Sequence, residues 1–83
     1  MNSMNLRDMV IQYRKSHHLT QYELASRDTT GTLKLHTISK IERVYSYRPS
    51  AAVIKGLSLA LHKPIEEIIE AATYSAQQKN DGE

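Results

Sequence analysis

Apolar residues recur along the chain at helical spacing, and the polar residues between them mark helix starts and stops. Leu6, Val10, Tyr13 and His17 fall at i, i+4, i+7 and i+11, one face of a first helix with Met9 beside it. Asn5 is placed to cap this helix, which is expected to run to about Ser16, while residues 1–4 are read as frayed. Arg14, near its end, also suits the helix dipole. His17-His18 ends the helix where a chain usually turns left-handed, so the lack of Gly there implies strain or a different cap. Thr20-Gln21-Tyr22-Glu23 spells a capping box, and Leu19 is placed to staple onto Leu24. Leu24 and Ala25 should face the core, with this second helix stopping near Asp28.

Asp28-Thr29-Thr30-Gly31-Thr32 breaks the pattern, and Gly31 permits a turn that other residues resist. Leu33 is expected to tuck back as an apolar plug, with Lys34 exposed. A third helix follows over about Leu35 to Arg43. It puts Ile38 and Ile41 inward and leaves His36, Thr37, Lys40 and Arg43 on the other sides. Val44 to Pro49 reads as a loop, in which Arg48 is biased to extended geometry by the proline after it. Ser50 can cap a fourth helix, about Ala51 to Leu61, with Ile54, Leu57 and Leu61 inward and Val53 and Ala60 alongside. Gly56 inside it costs about 1 kcal/mol against Ala and allows close packing. Pro64 suits the first turn of a fifth helix, and Glu66 and Glu67 follow at its positive end. Ile65, Ile68, Ile69 and Ala72 give that helix an apolar stripe. From Gln77 onward the chain is polar and expected to be a disordered tail, so the folded domain spans 5–76. Five helices, no strand signal and no repeat make an all-α bundle.

The totals narrow the class. Eighty-three residues with a 40% apolar share give one small domain with one modest core, whose marginal stability dimerisation would raise. Cysteine is absent, which rules out a disulfide framework and thiolate metal sites and fits a reducing, cytoplasmic location. No apolar run approaches the ~20 residues of a membrane helix. The start, MNSMNLRD, lacks the basic and apolar segments of a signal peptide. His17, His18, His36 and His62 share no i, i+4 ligand spacing, so no metal is expected. Charge is unevenly divided. Residues 1–64 hold ten Lys/Arg and four Asp/Glu, hence +6, and residues 65–83 hold one Lys and five Asp/Glu, hence −4. The basic portion could face phosphates with the acidic end turned elsewhere. Two solvated surfaces with no partner would give the same count.

LTQYELA, then TISKIER, RPS and LALHKPIEEII, in that order, resemble the lambda-repressor-like (Xre/Cro-type) helix-turn-helix DNA-binding proteins. The resemblance covers residues 6–69. It implies a compact five-helix domain whose second and third helices form the helix-turn-helix, in a bacterial or phage regulator that binds inverted repeats as a dimer. It further implies that Gln21 touches phosphate and braces the recognition helix. Lys34, Leu35, His36 and Thr37 then match the start of that helix, and Ser39 and Lys40 its next groove-facing positions. Arg43 and the loop residues Tyr45, Tyr47 and Arg48 match backbone contacts. Arg14 and Glu42 match a buried ion pair tying the first helix to the third. Three departures stand out: the segment between Ala25 and Ile38 is about three residues longer than the family's turn, Val44 replaces a common helix-ending Gly, and Leu35 occupies a position often held by a polar base reader.

The chemistry at these positions suits duplex DNA. Arg and Lys give affinity through phosphate neutralisation and counterion release. Lys40 can donate to guanine O6 or N7, His36 to a base acceptor or phosphate, and Thr37 or Leu35 can meet a thymine methyl, each good contact being worth about 1–3 kcal/mol of discrimination. Tyr45, Tyr47 and Arg48 would form a phosphate clamp, or equally an ordinary polar loop with one Tyr on the core. Ile69, Ala72 and Tyr74 are the candidates for a two-fold dimer contact, with closure of the core as the alternative use of the stripe. The Ser, His and acidic residues are scattered and no glycine-rich phosphate loop is present, so no enzyme and no cofactor are expected. The sequence therefore points to a sequence-specific regulator of transcription, a repressor, that inserts residues 35–43 into the major groove as a homodimer. The alternative is a protein-interaction module, such as an antitoxin that neutralises its partner through the acidic last helix.

Overall fold

Side chains next to the helix starts decide where the helices begin. In the computed structural model, which describes residues 4–44 and 47–81 with side chains through Tyr74, Asn5 Oδ1 accepts from the Asp8 N–H at 2.8 Å and opens α1, Leu6–Ser16. Thr20 Oγ1 accepts from Glu23 N–H at 3.0 Å while Glu23 Oε1 accepts from Thr20 N–H at 2.8 Å, a complete capping box ahead of α2, Gln21–Ala25. Ser50 Oγ accepts from Val53 N–H at 3.3 Å and opens α4, Ala51–Leu61. Pro64 precedes α5, Ile65–Asp81, with Glu66 and Glu67 in its first turn. The remaining helix, α3, Leu35–Arg43, follows Lys34 without any side-chain cap. The described residues form five helices and no strand, and none of the helices is long and apolar enough to cross a membrane.

Two boundaries differ from the sequence expectation. The second helix ends at Ala25, not near Asp28, because Arg27 and Asp28 turn back onto the carbonyls of Leu24 and Ala25, three residues behind them. The fifth helix continues to Asp81, so residues 77–81, expected in a disordered tail, are helical. Residues 1–3 of the expected frayed start and 82–83 of the tail lie outside the described residues.

The core draws on every helix: Leu6, Met9 and Val10 from α1, Leu24 and Ala25 from α2, Ile38 and Ile41 from α3, Leu57, Ala60 and Leu61 from α4, and Ile68 and Ala71 from α5. Leu33, between α2 and α3, plugs it at 4% exposure. On α5 the inward pair is Ile68 and Ala71, three apart, which leaves Ile65 and Ile69 exposed and Ala72 at the edge. His17, expected on the inner face of α1, is exposed and stacks on Tyr13 with ring centroids 4.0 Å apart.

Two histidines adopt left-handed backbone: His18 (φ 56°) after α1 and His62 (φ 55°) after α4. Such a backbone closes a helix with little penalty only for Gly. At His62 the turn is held by the Lys63 N–H on the Ser58 carbonyl at 3.1 Å and by the Ser58 hydroxyl on the Lys63 carbonyl. His62→Gly should therefore stabilise the fold by about 0.5–1 kcal/mol, relief of strain outweighing the added freedom of the unfolded chain. A lower melting temperature in calorimetry would mean that the imidazole makes up for the strain.

Candidate nucleic-acid interface

The geometry of α3 follows from its residues. At about 100° per residue, Thr37, Ile38 and Ile41 share one side of the helix, and all three are buried. Leu35, His36, Ser39, Lys40 and Arg43 fall on the opposite side; Ser39 is half-buried and the other four are exposed. Thr37, expected among the groove-facing residues, is only 8% exposed. It sits four residues before Ile41, on the same side, so it is removed from the contacting set. Lys34 is exposed just ahead of the helix, and an open depression is lined by Gln21, Lys34, Leu35, His36 and Ser39.

The one acid of α3, Glu42, is held on the flank of the helix that meets α1 and α2. Its Oε2 accepts from Arg14 Nε at 2.7 Å, and its Oε1 accepts from Arg14 Nη2 and from Gln21 Nε2, both at 3.0 Å. The hydrogen bond to Glu42 raises the Arg14 pKa, burial opposes it, and the carboxylate's charge adds to the rise. Arg14 Nη1 also donates to the Leu19 carbonyl at 3.1 Å, which ties in the chain just before α2. One carboxylate thus fixes α3 to both α1 and α2. Its charge is engaged by Arg14, so the outer side of α3 presents Lys40, Arg43 and His36 without a competing acid from the same helix.

A second clamp from α1 was not expected from the sequence. Arg7 Nε donates to the Glu42 backbone carbonyl at 3.0 Å. It satisfies a last-turn carbonyl and places a cation at the negative end of the helix dipole. Val44 closes the helix in extended geometry (φ −102°, ψ 101°), so no left-handed glycine is required there.

The N-terminal approach to α3 is fixed by Asp28, which sequence reasoning passed over. Asp28 is 5% exposed. Its Oδ1 accepts from the Thr30 N–H at 2.8 Å and the Thr30 hydroxyl at 2.6 Å, and its Oδ2 accepts from the Leu33 N–H at 2.8 Å. The carboxylate lies against Gly56 of α4, where an added Cβ would stand 2.6 Å from Oδ2 and 3.1 Å from Leu33 Cγ. The long turn between α2 and α3 is therefore built around a buried carboxylate, and Gly56 provides the room for it. Thr29 and Gly31 form its exposed tip, with Gly31 at φ 75°.

Tyr47 is half-buried and packs on the core, and Arg48 is exposed. Tyr45 lies outside the described residues. The side chains expected at a dimer contact lie on α5: Ile69 is 46% exposed, and Ala72 and Tyr74 are half-buried. Between α1 and α5 runs a groove of about 370 Å³ whose lining includes Met9, Tyr13, Lys63, Glu67 and Glu70. Among the described residues no three His, Asp or Glu side chains come together to hold a metal ion.

No known protein family, characterised protein or solved structure matches the chain.

Proposed function

We propose that the protein is a sequence-specific double-stranded-DNA-binding regulator, a repressor, with a lambda-repressor-like five-helix fold in which α2 and α3 form the helix-turn-helix. In this reading the α3 helix enters the major groove, and a homodimer joined through Ile69, Ala72 and Tyr74 places two such helices on an inverted repeat. The observation that carries it is the two-sidedness of α3. Its inner side is buried through Thr37, Ile38 and Ile41 and its flank is locked by Glu42 to Arg14 and Gln21, while Leu35, His36, Lys40 and Arg43 are presented to solvent. A rigidly braced cationic helix face is what phosphate attraction and base-edge donation require. The reading involves no catalysis and no cofactor, and a DNA-bound regulator works in the cytoplasm.

The test uses duplexes selected from a random pool by the purified protein. Lys40→Ala should weaken binding to the selected site more than binding to unrelated duplex, by about 1–3 kcal/mol if Lys40 donates to a guanine edge. Equal losses would place Lys40 on phosphate only. Arg43→Ala should lower affinity for all duplexes and reduce the slope of log affinity against log salt by about 1, the signature of one lost phosphate contact. An unchanged slope would take Arg43 out of the footprint.

A second reading is favoured by α5, where the apolar Ile65 and Ile69 stand exposed among Glu66, Glu67 and Glu70. An acidic, partly apolar helix suits a basic protein partner, as in an antitoxin. Co-purification of a small basic protein that is released by Glu67→Lys and Glu70→Lys would favour it.

A further inference from the structure

With Thr37 buried, Leu35 is, among the described residues, the one apolar side chain lining the depression at the start of α3; its companions there are Gln21, Lys34, His36 and Ser39. Leu35 is 49% exposed at the first position of α3, while Ile38, three residues on, is fully buried. Half of this leucine thus faces solvent inside a polar, cationic surface. The surroundings fit a ligand that is anionic overall and carries a small apolar group among hydrogen-bonding atoms. The major-groove edge of DNA offers one such group, the C5 methyl of thymine, which lies beside acceptors and is flanked by phosphates. A 5-methylcytosine carries the same group.

We infer that Leu35 reads the C5 methyl of a pyrimidine in the major groove, which makes the site responsive to a 5-methylpyrimidine and not to thymine alone. The inference rests on the DNA-binding reading. The methyl sits against the leucine side chain, while Ser39 and His36 lie on the same side of α3 to meet polar atoms of neighbouring bases. Burying one methyl against an apolar side chain corresponds to about a fourfold change in affinity.

The experiment starts from a duplex selected by the wild-type chain and replaces each thymine in turn by deoxyuridine, which removes the methyl and leaves every hydrogen-bonding atom in place. One thymine per half-site should show a loss of about fourfold. At that position 5-methylcytosine should bind more tightly than cytosine by a similar factor, in the same G·C context. Leu35→Ala, at an exposed position and checked for an unchanged melting temperature, should bind the thymine and deoxyuridine duplexes equally. A wild-type chain indifferent to every thymine methyl, or a Leu35→Ala chain with the same methyl dependence, overturns the inference and leaves DNA binding standing. Failure to bind any duplex at low salt overturns the DNA-binding reading, and this inference with it.

Discussion

Glu42→Ala should lower the unfolding free energy by about 3 kcal/mol, the lower end of what breaking a buried ion pair costs. The carboxylate accepts three hydrogen bonds, two from Arg14 and one from Gln21. The side chains of the pair are 19% exposed for Arg14 and 9% for Glu42. Removing the acid strands a guanidinium that keeps only the Leu19 carbonyl among these partners, and water reaches it poorly. The residual exposure of Arg14 holds the loss near the bottom of the range. Replacing both partners, Arg14→Met with Glu42→Met, should recover most of it, since two apolar side chains of similar volume leave no uncompensated charge. Denaturant midpoints of Glu42→Ala and of the double variant give the comparison. A loss below about 1 kcal/mol in Glu42→Ala would mean that the pair behaves as an exposed one.

Gly56→Ala should destabilise the fold, although helix propensity alone favours Ala over Gly by about 1 kcal/mol. The added Cβ would meet Asp28 Oδ2 at 2.6 Å, the same oxygen that accepts from the Leu33 N–H. The carboxylate cannot swing aside without losing that bond and the two from Thr30. The expected net cost is about 1–3 kcal/mol, the range for overpacking. Asp28→Ala, which leaves the buried Leu33 N–H without its acceptor and frees the Thr30 N–H and hydroxyl, should cost about 1–3 kcal/mol. With the carboxylate gone the closest contact is gone and Leu33 Cγ at 3.1 Å is the one that stays, so Gly56→Ala should cost clearly less in the Asp28→Ala background than in the wild type. Additive losses would show that the two residues do not act through one another.

The Asp28 carboxylate also sets an acid limit. Burial by itself would raise its pKa, but hydrogen bonds from the Thr30 hydroxyl and from the backbone N–H groups of Leu33, Thr30 and Thr32 outweigh that and hold it below 3.8. The unfolded chain therefore takes up a proton on Asp28 at a higher pH than the folded chain does. The stabilisation is complete above 3.8 and is lost as pH falls through the lower folded value. Melting temperatures measured from pH 7 to pH 3 should fall more steeply at the acid end for the wild type than for Asp28→Asn. Parallel curves would remove Asp28 from the acid response.

Much of the fold was legible because its signals are local. Asn5, Thr20 with Glu23, and Ser50 each cap the helix expected from them, through a partner three residues ahead. Leu33 and the inward pair of α3 followed from apolar spacing. Two kinds of feature were not legible. Where a polar residue lies on an apolar face, its type misleads: the hydroxyl of Thr37 points to a groove residue, although its spacing from Ile41 puts it inside. Where partners lie in other elements, no local pattern records them. The reach of Arg7 to the Glu42 carbonyl spans 35 positions, and the role of Asp28 depends on Gly56 in another helix. The ion pair of Arg14 and Glu42 came from the family resemblance, since a separation of 28 positions leaves no periodic trace. On α5, Ala71 and not Ala72 turns inward, and alanines at adjacent positions differ too little for composition to choose between them.

The most direct test of the central proposal is a titration of the full chain against the DNA upstream of its own coding sequence, with scrambled DNA as the reference, at several salt concentrations. The account predicts preference for the native DNA, a steep loss of affinity with salt, and a footprint of two half-sites about one helical turn apart. Absence of binding to either DNA at low salt would contradict it and would turn attention to the acidic face of α5 and a protein partner.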